Sequence, residues 1–75
     1  MEIGKVYMFK QDDGMYNSKT YYRLIEYKLE LETFYMGTFW YVNKFGEGLV
    51  HKHEKDMKRM VLAPKTYQVL YGQKY

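Results

Sequence analysis

Apolar and polar side chains follow a β-type pattern along most of this chain, and turn signals separate the runs. Residues 5–10, Lys-Val-Tyr-Met-Phe-Lys, read as a first strand, closed by Gln11-Asp12-Asp13-Gly14, where glycine can take a positive φ. Asn17-Ser18-Lys19 extends that loop, and a long β-type run follows over residues 20–32. Its second half alternates cleanly, Tyr27, Leu29 and Leu31 against Lys28, Glu30 and Glu32. In its first half Tyr22 and Leu24 have the opposite parity from Ile25 and Tyr27. That slip of phase predicts a bulge or bend near Leu24 and Ile25.

The third run, residues 34–44, is one strand bent at Gly37 or two pieces that meet there. Its pleat puts Phe34, Met36, Trp40 and Val42 on one face and Tyr35, Phe39 and Tyr41 on the other. The expectation is that the first set lines the core and the second faces outward. Residues 43–48, Asn-Lys-Phe-Gly-Glu-Gly, carry the strongest turn signal, and residues 49–53 start another strand. Met57, Met60 and Val61 then recur at helical spacing, enough for one helical turn. The apolar segment of residues 60–63 is closed by Pro64, which cannot donate to a central ladder. Beyond it Tyr67, Val69 and Tyr71 resume alternation, so residues 65–75 are expected to pack on the sheet as a C-terminal strand or tail. If that segment lies over the outward aromatic face, those rings become a second small core.

The order predicts an all-β domain over residues 1–64, with about five antiparallel strands and one short helical turn before the last. The lead Gly4-Lys5-Val6-Tyr7, the bent strand Tyr21-Tyr22-Arg23-Leu24-Ile25 and the closing His53-Glu54-Lys55-Asp56-Met57-Lys58-Arg59-Met60 resemble the layout of compact SH3-like or chromo-type barrel proteins, including uncharacterised ones from bacteriophages. The resemblance implies a small SH3-like barrel and a phage or mobile-element origin. The acidic loop and aromatic-proline elements with which SH3 domains grip proline-rich ligands are not recognisable here.

Composition narrows the class. At 75 residues the domain is small enough that its 15 aromatic rings must largely serve folding. With no cysteine there is neither a disulfide framework nor a thiolate metal site, which fits a reducing cytoplasm. Met1-Glu2-Ile3-Gly4-Lys5 lacks the features of a signal peptide, and no apolar run is long enough to span a membrane. The net charge of +3 is modest for a nucleic-acid binder, although seven of the 12 Lys and Arg residues lie from Lys44 onward.

Candidate chemistry is sparse. His51 and His53 share a strand face and could ligate one Zn²⁺ with an acidic third ligand, but no Cys or further His completes a structural set, so no metal or cofactor is expected. The close carboxylates Asp12 and Asp13 suit a turn, and Glu30 and Glu32 suit a solvated strand face. Nothing places Ser18 or a threonine beside a histidine, and small barrels fill their interiors with side chains, so an enzyme is not expected.

Two binding readings remain. Tyr, Trp, Met and Arg are the residues enriched in interface cores, and Tyr35, Phe39, Tyr41, Tyr67 and Tyr71 would form an aromatic surface for a host protein or a homodimer partner. Alternatively, basic residues interleaved with aromatics suit phosphate contacts plus base stacking, through Lys19, Arg23, Trp40, Lys44, Lys58 and Arg59. Tyrosine is also simply a good strand residue, and lysine a common guard of sheet edges.

Overall fold

The computed structural model describes residues 1–10 and 19–72. The turn expected at residues 11–14, the loop through Asn17 and Ser18, and the Asp12–Asp13 pair lie outside the described residues. The elements run β1 (Val6–Phe9), β2 (Tyr21–Glu30), β3 (Phe34–Asn43), β4 (Gly46–His53), α1 (Glu54–Met57), β5 (Met60–Leu62) and α2 (Lys65–Tyr71). Among the described residues five antiparallel strands form one sheet in the order β4-β3-β2-β1-β5. β4 and β5 stand at opposite edges and do not pair, so the sheet is open where a closed barrel was expected.

The phase slip in β2 is a bulge. Leu24 pairs with Phe39 and Glu26 with Thr38, so Ile25 is the extra residue. The bulge also marks where β1 leaves β2: the Gly4 N–H donates to the Leu24 carbonyl at 2.8 Å and the Leu24 N–H to the Lys5 carbonyl at 3.0 Å. Strand β3 is continuous through Gly37. Its hairpin to β4 closes on the Asn43–Gly46 pair, and the Asn43 side chain accepts from the Phe45 N–H at 2.9 Å.

The core is on the face opposite to expectation. Phe39 is 0% exposed and packs with Tyr7, Leu24, Met57 and Met60. Phe34, Met36, Trp40 and Val42, expected inside, are each only half-buried on the other face. Gly37 explains the inversion, because it shares parity with Phe39 and leaves a hollow there. A Cβ on Gly37 would lie 2.6 Å from the Met57 sulfur and 2.8 Å from a Phe39 ring carbon. Helix α1 drops Met57 into that hollow, held by the His53 ring nitrogen, which accepts from the Lys55 N–H at 3.0 Å as an N-cap.

The second face is covered as well, by a helix where alternation had suggested a strand or tail. Pro64 starts α2, and Tyr67 and Tyr71, four residues apart, come onto one side of it. Both stack on Tyr21, at centroid distances of 4.1 and 5.7 Å, and complete a second cluster around Val6, Tyr21 and Ala63. Val69 and Leu70 point to solvent. The Gln68 amide takes the place of a missing strand: it accepts from the Val6 N–H at 2.9 Å and donates to the Val6 and Ala63 carbonyls at 2.7 and 3.1 Å.

Candidate functional site

The five aromatic residues expected to form one binding surface are divided among three places. Phe39 is sealed in the core and offers no atom to a partner. Tyr67 and Tyr71 lie against Tyr21 beneath α2, on the opposite face from Tyr35 and Tyr41. Tyr41 is half-buried, and a Cβ on Gly48 would meet its ring at 3.3 Å. Only Tyr35 is exposed, stacked on Tyr27 at 4.8 Å, while its N–H donates to Glu54 at 2.7 Å.

The basic set is also dispersed. The Arg23 guanidinium lies 4.7 Å over Trp40 and donates to the Tyr71 carbonyl at 3.0 Å, so this pair clamps the end of α2. The Arg23 Nε is buried with no hydrogen-bond partner among the described residues, which fits a side chain placed by stacking. Lys19 and Lys44 lie at the sheet end where Asn43 bonds Thr20, with the Lys44 ammonium 5.2 Å from the Phe45 ring. Lys58 is exposed at the C-cap of α1, and Arg59 lies 5.8 Å from the Phe9 ring.

Sequence reasoning passed over Lys52. Its ammonium lies 5.5 Å from the Phe9 ring and 5.6 Å from Tyr22, so two cations, Lys52 and Arg59, share the Phe9 ring, which packs edge-on against Tyr22. Neither has an ion pair among the described residues. Its parity was the available signal, since Lys52 shares the inward face of β4 with Val50.

The histidines serve local structure. His51 Nδ1 lies 2.9 Å from the Thr38 hydroxyl, and His53 caps α1 and stacks on Phe34 at 4.6 Å. Among the described residues no three His, Cys, Asp or Glu side chains are grouped to hold a metal ion. No helix among them is long and apolar enough to cross a membrane.

The other missed feature is the far half of β2. Beyond the bulge, residues 26–30 pair with β3 on one side and, among the described residues, with nothing on the other. The Glu30 carbonyl accepts from the Thr33 N–H at 2.9 Å, which directs the even-numbered residues toward β3. The N–H and C=O groups of Tyr27 and Leu29 therefore point out of the sheet. Tyr27, Leu29 and Tyr35 are exposed on one face of this hairpin, and Leu31 at its tip is 81% exposed. On the other face Lys28 bridges Glu30 at 3.4 Å and Glu26 at 3.9 Å, beside a shallow groove lined by Leu31, Phe34, Met36 and His51. Comparison with protein-family models, with curated proteins and with solved structures finds no match to this chain.

Proposed function

We propose that this chain is a non-enzymatic protein-binding module of the cytoplasm, working without a cofactor, and that it captures an extended polypeptide by strand addition along residues 26–30. The open edge carries this reading: a row of outward N–H and C=O groups flanked by exposed Tyr27, Leu29 and Leu31. An added strand gains affinity from main-chain hydrogen bonds and specificity from its alternate side chains. One set would meet Tyr27 and Leu29 and should be apolar. The other would meet Glu26, Lys28 and Glu30 and should be charged. A phage or mobile-element origin, with modulation or inhibition of a host protein as the outcome, rests on the layout resemblance to SH3-like phage proteins.

The test uses seven-residue peptides that alternate an apolar residue with Lys or Glu, titrated against isotope-labelled protein. The Tyr27 and Leu29 amide signals should shift, and Leu29→Pro, which removes one outward donor at an edge position where proline is tolerated, should abolish the shift while unfolding stays cooperative. Binding that leaves those amides unmoved, or that survives Leu29→Pro, overturns the reading.

A second reading, single-stranded nucleic acid, is favoured by Lys52 and Arg59 both lying over Phe9, with Lys52 also over Tyr22. It requires that affinity for a labelled oligonucleotide fall linearly in log K against log salt. No binding at low salt removes it.

A further inference from the structure

We infer that the strand filling the open edge of β2 is the same strand of a second copy of this chain, in an antiparallel two-fold pair centred on Leu29. This rests on the reading of residues 26–30 as strand-accepting and names the occupant. In a two-fold antiparallel pair, outward-pointing residues must meet outward-pointing residues, so Tyr27 and Leu29 restrict the register to three choices.

Charge decides among them. Centring on Lys28 sets Lys28 against its own copy and Glu26 against Glu30 twice, and like charges directly opposite are destabilising. Centring on Tyr27 sets Glu30 beside Leu24, whose N–H and C=O are already taken by Lys5 and Gly4, and carries the ladder across the bulged Ile25. Centring on Leu29 avoids both problems. It sets Lys28 opposite Glu30 twice, at non-hydrogen-bonded positions where side chains approach closest, and joins Leu29 to Leu29 at the centre. Leu31 and Glu32, with φ of 50° and 56°, both turn out of the ladder, so Glu32 is not held opposite Glu26. The pairing is isologous and closed, so it stops at two chains. It also covers an edge of the kind that soluble proteins otherwise guard.

Sedimentation equilibrium of the full chain should show a reversible dimer. Lys28→Glu and Glu30→Lys should each weaken it roughly tenfold, because two like-charged pairs replace two opposite ones. An equimolar mixture of the two variants should recover wild-type affinity as a heterodimer, since every Lys–Glu pair is restored. Both substitutions are on the solvated face, and far-UV circular dichroism should show each variant folded. Recovery instead from a mixture of Lys28→Glu with Glu26→Lys would overturn the register. A wild-type chain that stays monomeric at millimolar concentration would overturn the dimer. Hydrogen exchange then separates the two readings: rapid exchange of the Tyr27 and Leu29 amides in that monomer leaves the edge open for another strand, and protection overturns the strand-accepting reading too.

Discussion

Removing the Gln68 amide should cost far more than its half-exposed position on a seven-residue helix suggests. Val6 is 0% exposed and Ala63 3%, so the backbone groups that Gln68 bonds are essentially dry. In Gln68→Ala the Val6 carbonyl keeps a donor, the Ala63 N–H at 3.0 Å, but the Val6 N–H and the Ala63 carbonyl lose their side-chain partner. An orphaned buried group costs about 1–3 kcal/mol, and water entering the gap returns part of it, so the loss should be about 2–4 kcal/mol. A domain of this size has about 4–11 kcal/mol in total. The midpoint of thermal unfolding, followed by circular dichroism, should fall by roughly 10–30 °C. Gln68→Glu discriminates the cause. Its carboxylate can still accept from Val6 but faces two carbonyl oxygens, so its folded-state pKa is raised. The stability of that variant should therefore be recovered as pH falls and lost as pH rises through the folded-state value. A Gln68→Ala loss under about 0.5 kcal/mol, the range of ordinary surface changes, would refute the argument. So would a Gln68→Glu profile parallel to wild type.

Gly37→Ala should destabilise by about 1–3 kcal/mol in urea unfolding, because Phe39 has no room to retreat from the added methyl group. Unchanged stability would mean that Met57 alone can give way. Leu31 and Glu32 both have left-handed backbone, with φ of 50° and 56°, which costs about 1–2 kcal/mol per non-glycine residue. Glu32→Gly should therefore stabilise by about 0.5–1 kcal/mol after glycine's own entropy cost, and a fall in stability would contradict the strain. His53→Ala should lose about 0.5–2 kcal/mol with the α1 cap, and His53→Asn should recover the capping part in the same assay; equal losses would place the cost in the Phe34 stack instead.

Much of the fold was legible because strands announce themselves through alternation. The bulge at Ile25 followed from one slip of parity, and the helical turn at α1 from the spacing of Met57 and Met60. Which face of β3 is the core was not legible, since both faces are apolar for good reason: α1 covers one and α2 the other. The glycine was the available clue, because a residue without a side chain on the Phe39 face makes space for a partner there. Residues 67–71 misled for a related reason. Tyr67 and Tyr71 fit a period of two and a helical step of four equally well, and only the solvent exposure of Val69, which a strand would have buried beside them, separates the cases. Pro64 just before the run was the sequence signal for the helix. Of the candidate aromatic residues Phe39, Tyr67 and Tyr71 therefore went into two cores, and of the basic ones Arg23 went into a stack that holds α2, while Lys19, Lys44 and Lys58 stay exposed.

The bulge links the fold to the proposed strand-accepting edge. On the near side of Ile25, β2 is paired on both edges and each of its faces meets a cluster, so its rings are consumed by folding. Were Ile25 to pair with Thr38 instead of bulging, unbroken alternation would set Glu26 opposite Gly37, beneath Met57, and carry Tyr27 and Leu29 to the other face. The bulged conformation of Ile25 keeps Glu26, Lys28 and Glu30 in register with the solvated face, where Lys28 lies between two carboxylates, and keeps the apolar stripe continuous with the core face. The same site is where β1 departs. The bulge thus preserves the hydrophobic register of the far hairpin at the point beyond which, among the described residues, its edge is unpaired. Patterning maintained so strictly on a strand whose edge is unpaired among the described residues is what the proposed strand addition needs in order to select one register.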